Sequence, residues 1–459
     1  MMDRLELGLH TSRRVIRQTH EDQMRAIIHA LATVGLGMVA LGLPAAAQDA
    51  DTTEIPAAEF TFPPEWEAHE AIWMGWEDFL AADQAFADLW AEMISALSPH
   101  VDVKLIVKSN EIAEIASSLL AERDVGAEQF EIVVQPSSDI WLRDSGGLFV
   151  TDGETLKIAD FAWDTYGFPS VYVDENDLER SGVDGDIADG LGIDRLTSDI
   201  VAEGGGLEVN SDVLITYKDA MVHRNPLLPL EVIEAELLRL YGKKKLVWLD
   251  RAPISDRIFI GPKVANFFGW GANGHVDEYV RFVDEHTIFV AQVSPEEREA
   301  NELLKLDDEI LTENLAQLRA ATDADGRPFN VVSVPMPDLT ALMETHTLTE
   351  DDFVEPLTGK DLRSVYRDFE IGDEIHMVPA ASYLNFLVTN GVVLVASYWE
   401  EGLPEQLKET DEEMRRLLAE QYPDRQIVQI NPMVVNWWGG GMHCITQQQP
   451  KITPAAEPF

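Results

Sequence analysis

The order of strand-like and helix-like runs is the strongest constraint that this chain carries. VDVKLIVK (101–108), FEIVVQP (130–136), DVLITYK (212–218), KLVWLD (245–250), HTIFVAQV (286–293), FNVVSVPMP (329–337), GVVLVASYW (391–399) and RQIVQINP (425–432) are short apolar runs of strand composition. Between them lie DQAFADLWAEMISALSP (83–99), EIAEIASSLLAER (111–123), PLEVIEAELLRLYG (229–242), DEILTENLAQLRAAT (308–322) and LPEQLKETDEEMRRLLAEQYP (403–423), with apolar residues at helical spacing. The alternation predicts a mixed α/β fold from end to end. No Pro/Ser-rich linker divides it, so residues 48–459 read as a single domain. The acidic stretch YVDENDLERSGVDGDIADG (172–190) reads as a surface loop.

Residues 1–47 stand apart as an N-terminal extension. From Met24 the chain runs MRAIIHALATVGLGMVALGLPAAAQDA, a short basic start, an apolar run and small residues ending at Ala45-Ala46-Ala47. That layout predicts a cleavable signal peptide, with the cut before Gln48 and export to the periplasm or beyond. Met24 is then an alternative start. No other apolar stretch approaches the ~20 residues of a membrane span, so no membrane partner is expected of the mature form. Lys and Arg number 34 against 82 Asp and Glu, a net charge of −48. Such acidity excludes nucleic acid and anionic lipid surfaces as partners. It leaves two readings, a solvated acidic surface and a field that steers a cationic substrate.

The chain has one cysteine, Cys444, in GGGMHCITQQQP (439–450). An exported protein usually pairs its cysteines, so a lone one is either an inert buried hydrophobe or a reactive thiol. Three glycines before it allow a backbone to approach a ligand closely, which places Cys444 at a site. Four other stretches set polar residues beside glycine or a strand-like run: PPEWEAHEAIWMGW (63–76), DIWLRDSGGLFV (139–150), EGGGLEVN (203–210) and GANGHVDEYVRF (271–282). Together they supply one thiol, the histidine His275, and three acids, Asp144, Glu203 and Asp277. A zinc site on His275 and Asp277 would lack further ligands, so neither a metal nor an organic cofactor is expected.

Three acids around a thiol suit a flat, delocalised cation. A guanidinium presents five N–H donors in a rigid fork and accepts nothing, so carboxylates on opposite edges satisfy it, a task for Asp144 and Asp277. Its central carbon is weakly electrophilic, and a thiolate whose pKa is lowered by a nearby cation is a fitting nucleophile. The substrate or His275 supplies that cation. His275 gives a proton to departing ammonia and later takes one from water, and Glu203 orients the imidazole.

These segments, with HRNP (223–226) and SYLNFLVTNGVVLV (382–395), resemble the agmatine deiminases of the guanidine-modifying (pentein) superfamily over residues 62–450. The resemblance implies a pentein α/β-propeller of five pseudo-symmetric ββαβ-type units around a central active site. It implies Cys444 as the nucleophile that becomes an amidino-cysteine, His275 as acid and base, Asp144 and Asp277 as the guanidinium clamp, Glu203 in support, and Trp141 lining the substrate channel. Agmatine is the favoured substrate, giving ammonia and N-carbamoylputrescine, with a place in putrescine biosynthesis. Peptidyl-arginine deimination and amidinotransfer are the enzymatic alternatives, a guanidine- or polyamine-binding protein is the non-enzymatic one, and a homo-oligomer is the state that relatives suggest. Agmatine-specific relatives carry an acid shortly before the histidine, where this chain has Gly271, Ala272 and Asn273, so the holder of the substrate's far end is not among these three.

Overall fold

Among the described residues the strands form six sheets, five of them wired alike. The computed structural model describes residues 59–452, apart from 82, 168–179, 258–263, 270, 355–360, 362, 364–365 and 367. The expected signal peptide and residues 172–179 of the expected 172–190 loop lie outside the described residues.

In chain order the strands are β1 (His69–Gly75), β2 (Asp102–Val107), β3 (Glu131–Val134), β4 (Leu148–Thr151), β5 (Leu156–Ala162), β6 (Arg195–Val201), β7 (Glu208–Val209), β8 (Val213–Tyr217) and β9 (Lys245–Leu249). They continue as β10 (Phe267–Gly269), β11 (Val280–Phe282), β12 (Thr287–Gln292), β13 (Asn330–Pro335), β14 (Glu344–Thr347), β15 (Glu374–Val378), β16 (Leu387–Thr389), β17 (Val392–Ala396), β18 (Gln426–Ile430) and β19 (Thr446–Pro450). The sheets are β19-β1-β2-β3, β4-β5-β6, β7-β8-β9, β11-β12-β13, β16-β17-β18 and the separate β10-β15-β14.

In each of the first five, the leading strand pairs antiparallel with the next, and that one pairs parallel with its successor. A parallel pair needs a long crossover, and here each crossover carries a helix: Gln84–Leu97, Val183–Leu191, Leu230–Tyr241, Glu302–Ala320 and Glu405–Gln421. The middle strands are covered on both faces, which is why β8 (VLITY) and β17 (VVLVA) are fully buried and apolar but for Thr216, whose hydroxyl donates to the Gly206 carbonyl.

Helix Gln84–Leu97 shows how the layers lock. Asp83 caps its start by accepting from the Ala85 amide. Its apolar stripe, including Phe86, Trp90, Met93 and Leu97, enters one core cluster with Ile72 of β1, Leu105 of β2 and Val395 of β17. Each such large side chain contributes about 1.5–3 kcal/mol of burial. Trp90 Nε1 also donates to the Gly75 carbonyl at 2.9 Å.

The expected mixed α/β order is present, and all eight strand-like runs and five helix-like runs occur where expected. One expectation is corrected. Part of 172–190 is helical, Val183–Leu191, because Val183, Ile187 and Ala188 are buried on one side. Asp184 and Asp186 sit in its first turn, where they favour the helix dipole, and Gly192 ends it in the left-handed region at φ 67°. All described residues fall within the compact unit Ile55–Phe459. Among them no helix is long and apolar enough to cross a membrane.

Candidate active site

The segment just ahead of each sheet's leading strand delivers the polar residues. Trp141 and the four-residue helix Leu142–Ser145 precede β4, Glu203 and Gly204–Gly206 precede β7, and His275 with Val276–Glu278 precedes β11. Asn385 precedes β16, and His443 and Cys444 precede β19. The antiparallel β19–β1 pairing carries the C-terminal segment to the start of the fold, and the Arg143 amide bonds the Cys444 carbonyl at 3.1 Å.

These segments bring the five expected chemical residues together, all buried. His275 Nδ1 lies 3.7 Å from Asp144 Oδ1, and its Nε2 lies 3.7 Å from Glu203 Oε2. Neither ring nitrogen makes a hydrogen bond, and Asp277 Oδ1 is likewise buried without one. Cys444 Sγ is 3.9 Å from Asp277 Oδ2, 3.7 Å from Glu278 Oε1 and 3.1 Å from Asn385 Nδ2. Other buried polar atoms in the core also lack partners, but these three belong to ionisable groups gathered around one thiol, an arrangement that suits a space built for a ligand.

Two glycines are required by close approach. A Cβ on Gly205 would stand 2.5 Å from His275 Nδ1 and 3.0 Å from Asp144 Oδ1. A Cβ on Gly440 would stand 2.8 Å from Trp141 Cζ3 and 2.9 Å from Cys444 Sγ, so the half-buried Trp141 ring and the thiol share one small space.

Several functional residues were not singled out by sequence reasoning. Arg224, from HRNP, makes a fully buried ion pair with Glu203 at 2.6 Å and donates to the Ala272 and Asn273 carbonyls at 3.0 Å. Asp256 accepts the amides of Ala272, Gly274 and His275. The Gly271–Asn273 stretch is thus engaged, through its backbone, in holding the segment that carries His275. Tyr166 OH donates to Asp144 Oδ2 at 3.1 Å. Asn385 accepts the His443 amide at 2.9 Å and donates to Asp277 Oδ2 at 3.1 Å. His443 spans Asp277 (2.7 Å) and Glu65 (2.6 Å), and Glu65 also pairs with Arg281 (2.5 Å) and Arg143 (3.2 Å). The signals were present: each of Arg224, Asn385, His443 and Glu65 sits inside a quoted block.

The electrostatics suit a cation. Burial alone would lower the His275 pKa, but Asp144, Glu203 and Asp277 outweigh it and raise it to about 9. Burial raises Asp144 to about 6, with Asp277 and Glu203 adding to it against His275. Burial opposes ionisation of Asp277, yet the hydrogen bond from His443, with the charges of His275 and Arg281, holds it below the usual range. Burial likewise opposes Glu203, which Arg224 keeps low. Burial pushes the Cys444 thiol well up, and Asp277, Glu278 and Asp144 push it further. His275 therefore does not by itself give a thiolate, which narrows the expected source of activation to the substrate cation. Asp277, Glu278 and Cys444 offer atoms within 4.8 Å of one another, a spacing open to a cation. The Asn385 N–H donor wedged against both the sulfur and Asp277 would face a metal ion with the wrong polarity, so this donor set fits a metal poorly.

Comparison with known proteins identifies the family and the fold. The chain matches the family described as Porphyromonas-type peptidyl-arginine deiminase over residues 61–450. An agmatine deiminase of Medicago truncatula is 28% identical over 419 residues, which is 86% of this chain and 97% of that protein. Among solved structures, the agmatine deiminase of Enterococcus faecalis superposes with a TM-score of 0.65 at 23% identity, covering 87% of this chain and 100% of that one. The substrate-bound agmatine deiminase of C. jejuni gives 0.62 at 19%, covering 85% and 96%. These two structures share the fold.

Proposed function

Because the chain belongs to the Porphyromonas-type peptidyl-arginine deiminase family, we propose that it is a hydrolase of guanidino compounds, with agmatine as its favoured substrate. The observation that carries this reading is the convergence of Cys444, Asp144 and the His275–Asp277 pair, from three segments ahead of different sheets, onto one buried space.

In the proposed reaction the guanidinium enters between Asp144 and Asp277 and brings the positive charge that the buried thiol lacks. The thiol gives up its proton to solvent water, and the thiolate attacks the guanidinium carbon. His275, already protonated, gives its proton to the departing ammonia, leaving a thiouronium on Cys444. The neutral imidazole then takes a proton from water, which releases the ureido product and restores the thiol. Glu203, anchored by Arg224, keeps His275 charged for the first step. Trp141 walls the channel beside Asp144 and Cys444.

Two further elements belong to the proposal. The shared wiring of five sheets, with the polar segments ahead of their leading strands, supports five pseudo-symmetric units around a central site. The layout of residues 24–47 supports export with removal of the first 47 residues.

The test is incubation with agmatine, arginine, a peptidyl-arginine and simple alkylguanidines, reading ammonia and ureido product. Turnover that is fastest with agmatine supports the reading. Binding without ammonia release sinks it, and preference for peptidyl-arginine or transfer to an amine reassigns the substrate or acceptor.

A further inference from the structure

Glu278 is the nearest carboxylate to the reacting sulfur, at 3.7 Å, yet it has no part in the chemistry above. It is 3% exposed and adjoins Asp277 in the chain. The two acids are treated differently. Asp277 receives His443 and Asn385 as donors, which suits an anion. Glu278 has no ion pair among the described residues, and its contact is the Cys444 thiol. Its backbone carbonyl is held by Ser382 Oγ at 2.5 Å, which fixes the side chain's starting point. The titratable groups facing it are Asp277, Asp256, Asp144, Cys444, Tyr279 and Tyr398. A buried carboxylate among three other carboxylates, with the neighbouring His275 charge placed between Asp144 and Glu203 rather than on it, is disfavoured as an anion.

Resting on the deiminase reading, we propose that Glu278 is a catalytic residue that stays neutral and donates a hydrogen bond from its carboxyl O–H to the Cys444 thiolate. No proton is transferred. The thiolate formed beside Asp277 would otherwise meet two adjacent negative charges, and a neutral donor turns one of them into stabilisation. Burial raises the Glu278 pKa well above the carboxylate range, and Asp277 and Asp256 raise it further, in the same sense. A protonated acid held in an apolar or crowded site is an established kind of hydrogen-bond donor to developing anions.

The lone cysteine makes the test specific, because ultraviolet thiolate absorbance then reports one group. Three proteins are compared: wild type, Glu278→Gln, which keeps size and an N–H donor without charge, and Glu278→Leu, which removes the donor. The expected result is that Glu278→Gln titrates its thiol close to wild type, while Glu278→Leu titrates higher and loses about 10- to 100-fold in kcat, the usual worth of a hydrogen bond to a charged group, with the Gln variant losing less. A Glu278→Gln thiol that titrates lower than wild type, or a Leu variant whose thiol titrates no higher than wild type, overturns the proposal, because the first means that Glu278 is an anion and the second that it gives the sulfur no donor. The titration needs no substrate, so its outcome is separate from whether any guanidino compound is turned over. Circular dichroism of the near-isosteric Gln variant confirms that the comparison is made on folded protein.

Discussion

Replacing Glu203 by Gln removes a negative charge 3.7 Å from His275 Nε2. At that separation a unit charge pair is worth about 1 kcal/mol in water and about 4.5 kcal/mol at an effective dielectric constant of ~20. One pKa unit corresponds to about 1.4 kcal/mol, so the substitution lowers His275 by about 1–3 units from its position near 9. Arg224 loses its counter-ion in the same change and adds to the fall, since its uncompensated charge opposes a protonated imidazole. The protonated ring is the acid for ammonia departure, so kcat is present below the folded pKa and is lost as pH rises through it. The alkaline limb of kcat should move from about 9 in wild type to about 6–8 in Glu203→Gln. The sign for stability is the same: a pKa raised above its unfolded value of about 6.5 stabilises fully below 6.5, and that contribution fades toward 9. Steady-state ammonia release at saturating substrate, followed across pH with both proteins, measures the limb. A folded Glu203→Gln protein whose limb stays near 9 would refute the claim that this carboxylate holds His275 charged.

Three further outcomes follow from the geometry. Gly205→Ala should press a methyl group into His275 Nδ1 and Asp144 Oδ1, costing on the order of 100-fold in kcat by displacement and about 1–3 kcal/mol in unfolding free energy, read by kinetics and urea melts; unchanged kinetics would mean that the tight contact is absent. Glu65→Gln strips the buried charge shared by Arg143, Arg281 and His443 and should destabilise by about 3–5 kcal/mol, whereas a loss below about 1 kcal/mol in thermal or urea unfolding would show the network to be incidental. Asp144, raised to about 6 by burial, must be ionised to grip a guanidinium, so kcat/KM should fall as pH drops through about 6, and Asp144→Asn should abolish that acid limb while raising KM steeply; an Asn variant with wild-type KM would remove Asp144 from the clamp.

How much of this was legible in the sequence depended on what each residue's role rests upon. β8 and β17 are near-continuous apolar runs, because both their faces are covered, and they are readable one window at a time. β19 is not. Its residues, Thr446 to Pro450, are polar but buried, since Gln449 accepts from Trp73 Nε1 and the strand pairs with β1 more than 370 residues away in the chain. β15 (EIHMV) mixes polar and apolar residues without a clear period, and helix 183–191 is masked by its aspartates and glycines.

The site divides in the same way. Cys444, His275, Asp144 and Glu203 stand next to glycines that let backbone crowd a reactive group, and that local signature is visible. Arg224, His443, Asn385 and Glu65 look ordinary in their own neighbourhoods. Their importance lies in partners such as Asp277, 166 residues from His443, and no local pattern reports such a distance. Glu278 was overlooked for a different reason: it was quoted within HVDEYVRF but overshadowed by the aspartate before it.

The central claim is that Cys444 carries the guanidino carbon as a covalent thiouronium. Mixing enzyme with agmatine, quenching in acid within a turnover and weighing the Cys444 peptide tests it directly. The account predicts a gain equal to agmatine less ammonia on the wild-type peptide, absent in Cys444→Ala. Ammonia release by Cys444→Ala, or brisk wild-type turnover with an unmodified Cys444 peptide at every quench time, would contradict it.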